Sequence, residues 1–192
     1  MHKNYIEQIR AFQPGCEQEE ADRQIILALC RDGQDVLTRN NTVCHLTSSG
    51  LILNETRDKI LMVHHNIYRT WTWTGGHADG MPDLEAVAMR EAKEETGINH
   101  VTLLYGGIAS LDILPVYGHV KKGRYVSAHL HLNAAWLLQA SEAETLTIRP
   151  DENSDVSWTP LTESASRSRE PELIRIFGKM LSRIGAEYSY DE

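Results

Sequence analysis

The segment GGHADGMPDLEAVAMREAKEETGI, from Gly75 to Ile98, restricts the fold most. Its GGHADG start supplies flexible turn backbone, and Thr96-Gly97 ends it on a residue that tolerates a left-handed cap. Between them, Leu84, Val87 and Ala88 recur at the i, i+3, i+4 spacing of a helix, predicted from about Asp83 to Thr96. The same face continues into Glu91, Glu94 and Glu95, whose spacing sets three carboxylates within about 100° of one another. A helix of this kind packs its first half into a core and leaves acids at the core's edge.

Those acids repel. At ~5.5 Å and an effective dielectric of ~20, each partly buried pair costs roughly 3 kcal/mol, against a few tenths when solvated. The negative end of the helix dipole adds to this. On the wheel Arg90 and Lys93 lie about 100° or more from the face's centre, a poor position for neutralising it. Either the face is solvated or a cation sits on it, and a hard dication such as Mg²⁺, shared between carboxylates and substrate phosphates, suits it.

Around this helix the chain changes character. Tyr5 to Phe12 and Glu17 to Arg31 have helical periodicity, separated by QPG. From about Val43, CHLTSSGLIL, KILMVHH and WTW read as short antiparallel strands with tight connections. After Ile98, VTLLYGGIASLDIL, YVSAHLHLNAAWLLQA and DVSWTPL are further strands, GHVKKGR is a hairpin-like loop, and a last helix runs from about Glu170 to Ile184. The class is α/β or α+β with a mixed sheet. The 192 residues suffice for one sizeable core, divided into an N-terminal helical extension (1–42) and one domain (43–192).

A net charge of -8 disfavours nucleic acid and anionic membranes as partners and leaves a small molecule. The runs IILALC and AAWLLQA fall far short of the roughly 20 apolar residues of a membrane span, and Lys3, Glu7 and Arg10 interrupt any leader-like start. The cytoplasm is the expected compartment. Cys16, Cys30 and Cys44 fit neither a disulfide framework nor a close-spaced zinc site.

The Gly75–Ile98 segment resembles the Nudix box: Gly76, Arg90, Glu91, Glu94, Glu95, Gly97 and Ile98 match it, with Ala92 as its small apolar residue. The box's first glutamate falls on Pro82, which suits a first helical turn and leaves Asp79 or Asp83 to brace the arginine instead. The resemblance spans about residues 43–184 and implies an α/β/α sandwich. It also implies hydrolysis of a nucleoside diphosphate derivative by water activated on Mg²⁺, or Mn²⁺ in its place. Glu91, Glu94, Glu95 and the Gly76 carbonyl are then metal ligands, Arg90 orients Glu91 or the loop, and the general base is Glu94 or a loop acid such as Glu152. Dimers are common in this family, so a homodimer is a further expectation.

Other residues carry weaker signals. His77, in the box loop, is placed to touch phosphate or order the loop, and Lys121 and Arg124 to meet substrate phosphates or form a solvated hairpin tip. Trp71 and Trp73 could stack a base or pack the core. His129 and His131 share a strand face as zinc ligands do, but no third ligand has a fixed spacing and the box prefers oxygen donors. Two other readings compete: an isopentenyl-diphosphate isomerase-like enzyme, which would need a catalytic cysteine, and a non-catalytic nucleotide sensor on the same fold.

Overall fold

The structure, a computed structural model, describes residues 4–31, 33–121, 123–186 and 188. Two helices, α1 (Tyr5–Ala11) and α2 (Glu17–Arg31), precede the strands β1 (Cys44–Leu53), β2 (Lys59–His65), β3 (Thr70–Thr72) and β4 (Thr74–His77). The predicted central helix is α3 (Leu84–Thr96), with Asp83 as its N-cap and Gly97 at φ 78° as its left-handed C-cap. Then come β5 (Thr102–Leu103), β6 (Ser110–Val116), β7 (His119–Lys121), β8 (Arg124–Val126), β9 (His129–Gln139) and β10 (Asn153–Pro160), followed by α4 (Leu161–Arg167) and α5 (Pro171–Ser182).

The main sheet runs β10-β2-β1-β9-β5, with β3 on β2, β4 on β1 and β6 on β9. The first strands pair antiparallel as expected, β1 with β2 and β2 with β3, and the sheet is mixed because β1 and β9 are parallel over their whole shared length, from Cys44↔Leu130 to Leu53↔Gln139. Sheet interiors buried on both faces read as near-continuous apolar runs, and β9 alternates accordingly. Leu132, Ala134, Trp136 and Leu138 join Leu46 of β1, Leu84, Ala88 and Ala92 of α3, and Ile9, Phe12 and Ile26 of the N-terminal segment in one cluster. Ala135 and Leu137 face the other way, into a cluster with Leu51, Leu53, Ile60, Met62 and the α5 residues Leu173, Ile176, Phe177 and Met180. The result is the expected α/β/α sandwich. The predicted hairpin-like loop carries two short strands, β7 and β8, paired only with each other, and α4 lies where the end of a strand was expected.

Candidate active site

The acids of α3 are positioned by what packs around its two ends. Ser48 Oγ on β1 donates to the Leu84 carbonyl at 2.6 Å and accepts from Trp136 Nε1 at 2.9 Å, fixing the start of the helix on the sheet. At the other end β4 lies antiparallel to β1, with Ser49↔Gly75 and Ser48↔Gly76, and the Gly75 N–H donates to Glu95 Oε1 at 3.3 Å. A Cβ on Gly76 would come within 2.5 Å of the Glu91 carboxyl carbon, so the close approach of loop and helix needs glycine.

Glu91 and Glu95 are 8% and 6% exposed, so the helix does carry two of its three acids inside. Burial, then the charges of Glu94 and Glu152, raises the Glu91 carboxyl against the opposing Arg90 bond. Burial, reinforced by Glu91 and Glu152, raises Glu95 well above the usual range. Glu152, from the loop before β10, completes the group: one carboxylate oxygen from each of Glu91, Glu95 and Glu152 lies within 4.8 Å of the others. Glu94 stands apart from this group, with its side chain 44% exposed and its Oε2 accepting from Arg149 Nη1 at 2.9 Å.

Arg149 and Asn153 were not legible as site residues. Arg149 reaches Glu94, Glu152 at 3.2 Å, Asp151 at 3.7 Å and Glu91 at 4.0 Å. Asn153 donates from Nδ2 to the Glu95 carbonyl at 2.9 Å, satisfying an end-of-helix acceptor, while its Oδ1 accepts from the Arg149 N–H. Its only sequence signal was proximity to Glu152.

Arg90 departs from the wheel argument: its Nη2 donates to Glu91 Oε1 at 2.6 Å, and its Nε lies 3.8 Å from Glu94. The long side chain swings across the angle that the wheel assigns it. Neither aspartate takes the place of the box's first glutamate. Asp79 is held by Arg39 through two bonds of 2.8 Å, and Asp83 caps α3 and accepts from Gln8.

The remaining candidates scatter. Trp73 packs against Phe177 in the core, ring centroids 5.8 Å apart, which places it with the packing reading and away from base stacking. Trp71 lies under the Arg167 guanidinium at 3.9 Å. Arg124 is exposed on the separate hairpin, and the Lys121 side chain lies outside the described residues. Cys44 is buried and its thiol is pushed up by burial, the reverse of a cysteine poised for isomerase chemistry. His77 is half-buried in a group of imidazoles with His45, His129 and His131. Burial, together with the neighbouring histidines, pushes His131 down to about 2.

The class is now settled. A family model, the NUDIX domain, matches residues 45–177, and the chain belongs to that family. Solved structures agree on the fold. A Nudix hydrolase of M. smegmatis, RenU, superposes with a TM-score of 0.55 at 14% identity, covering 77% of this chain and 90% of its own. The E. coli dihydroneopterin triphosphate pyrophosphohydrolase gives 0.54 at 13%, covering 72% and 95%. The NUDIX domain of Shewanella oneidensis NrtR, complexed with ADP ribose, gives 0.52 at 17%, covering 72% and 87%. No curated protein sequence matches the chain. The chain is a NUDIX-domain protein by family and fold, and among the described residues no helix is long and apolar enough to cross a membrane.

Proposed function

We propose that the protein is a divalent-metal-dependent pyrophosphohydrolase that cleaves the diphosphate linkage of a nucleoside diphosphate derivative. The observation that carries this reading is the convergence of the Glu91, Glu95 and Glu152 carboxylates, two of them buried, beside a loop that glycine brings close. Three hard oxygen donors at this spacing, with burial and mutual repulsion penalising their charges, fit Mg²⁺ or Mn²⁺ and not a softer ion. A bound ion would supply charge neutralisation at the phosphates and a water of lowered pKa.

The protein's own groups do the rest. Glu91, Glu95 and Glu152 would hold the ion, with the Gly76 carbonyl as a further ligand. Arg90 fixes the Glu91 carboxylate by its charge-assisted bond. Glu94, outside the ligand group and open to solvent, is assigned to accept the proton of the attacking water. Arg149, bridging Glu94 and Glu152, offsets charge as the leaving phosphate departs. Support for the substrate class comes from the two neighbours named for dihydroneopterin triphosphate and ADP ribose.

The test is a phosphate-release screen over nucleoside triphosphates, nucleotide sugars, ADP-ribose, dinucleoside polyphosphates and coenzyme A derivatives, with Mg²⁺ or Mn²⁺. Glu94→Gln and Glu95→Gln are assayed alongside, each expected to lose about 100-fold or more, beyond the cost of an outer-sphere partner. Wild-type rates in both variants would refute the site, and absence of turnover on every compound would favour the sensor reading.

A further inference from the structure

The histidines form a second cluster, built on a different part of the sheet. His45 and His131 are register partners across the parallel β1–β9 pair. His77, at the end of β4, is brought alongside β1 opposite Thr47. One ring nitrogen from each of His45, His77 and His131 lies within 4.8 Å of the others. His129, two residues before His131 and on the same strand face, stacks on His45 with ring centroids 4.9 Å apart.

The hydrogen bonds dictate the tautomers. His45 Nδ1 lies 3.0 Å from the Asn41 carbonyl, which can only accept, so Nδ1 carries the proton and Nε2 keeps its lone pair. That Nε2 is buried without a hydrogen-bond partner, in a residue only 4% exposed. His129 Nδ1 lies 2.8 Å from the Ser127 carbonyl, so its Nε2 is likewise a lone-pair nitrogen and accepts the 3.3 Å hydrogen bond from His131 Nε2, orienting that ring beside His45 and His77. A carbonyl on the far nitrogen is also how metal-bound imidazoles are usually held.

We propose that His45, His77 and His131 form a binding site for a borderline-soft transition-metal ion, Zn²⁺ foremost, distinct from the carboxylate group, with a water or other small ligand in the fourth position. The donor set is all imidazole, which selects Zn²⁺ over Mg²⁺. It satisfies the orphaned His45 nitrogen and draws one ligand from each of β1, β4 and β9. His77 directly follows Gly76, so the ion would pin the strand that carries the glycine against Glu91.

The test uses the full chain without an affinity tag, in excess Mg²⁺ to fill the carboxylate group, titrated with Co²⁺ as a spectroscopic stand-in for Zn²⁺. One equivalent is expected to give the intense visible absorption of a tetrahedral ion. That band should persist in Glu91→Gln and Glu95→Gln, while affinity falls at least tenfold in His45→Gln and His131→Gln. No band at excess Co²⁺, a band unaffected in both histidine variants, or one lost with Glu95→Gln overturns the proposal. Should the histidine variants fail to fold, ¹⁵N spectra of wild-type imidazoles decide: one equivalent of Zn²⁺ must move the His45, His77 and His131 nitrogens, and unmoved signals refute the site.

Discussion

Gly76 leaves no room for a side chain beside Glu91 unless something shifts. Its missing side chain is the space that the Glu91 carboxylate occupies, so Gly76→Ala must displace either the loop or the acid. We expect this variant to fold, with a Tm within a few degrees of wild type, and to lose at least tenfold in kcat, measured with whichever diphosphate the screen identifies. Glu95 gives the complementary case. Because burial raises its carboxyl above the ordinary 4.5, the ion-free folded state is favoured while that group is protonated. The advantage disappears as pH rises through the raised value. Glu95→Gln should therefore melt higher than wild type in EDTA at neutral pH, with the gap closing as pH falls toward the ordinary carboxylate range. It should do so while losing activity. Melting curves across pH, with and without Mn²⁺, check both statements.

At the scale of elements, the loop ahead of β10 contributes as much to the site as the helix does. It delivers Glu152 and also Arg149, a cation that competes with a metal for the same carboxylates. Arg149 is about one-third exposed, so solvent screens its charge and its effect on a neighbouring ion is on the order of 1 kcal/mol. Arg149→Gln should lower the Mn²⁺ concentration needed for half-saturation a fewfold, read by isothermal titration without substrate. The helix and its acids were legible in the sequence because they follow from local spacing: apolar residues, acids and caps all fall within one stretch of chain. The β1–β9 pairing was not, since it joins residues 86 apart, as in the Thr47 to Asn133 bond, and an apolar run buried on both faces does not reveal the direction of its neighbour. For the same reason His129 and His131 were visible as a pair, whereas His45 and His77 meet them only through the folded sheet. Arg90 was misjudged because a wheel locates Cβ atoms and not the reach of a guanidinium.

Over the whole molecule, the first helices and the last one are joined by buried charges. Glu19 on α2, fully buried, accepts from Arg183 at 2.8 Å and from Ser110 at 3.1 Å, and lies 3.4 Å from Lys179 on α5. Lys179 also bonds Asp112 of β6 at 2.5 Å, which offsets part of the burial that raises the Asp112 carboxyl. Removing Glu19 leaves Lys179 on Asp112 and Arg183 on the Ala109 carbonyl but takes away a buried partner of both, so Glu19→Ala should cost about 1–3 kcal/mol. For a chain of this length, that lowers Tm by on the order of 5 °C, measurable by calorimetry. The family match spans 45–177 and thus excludes Glu19, Lys179 and Arg183 alike. A fragment cut at those limits would keep every carboxylate of the proposed metal group, yet leave Asp112 without its lysine and the apolar surface under α1 and α2 bare. Anyone excising the matched portion for crystallisation or fusion should expect an insoluble product, because the outline drawn by kinship is smaller than the outline drawn by cooperativity.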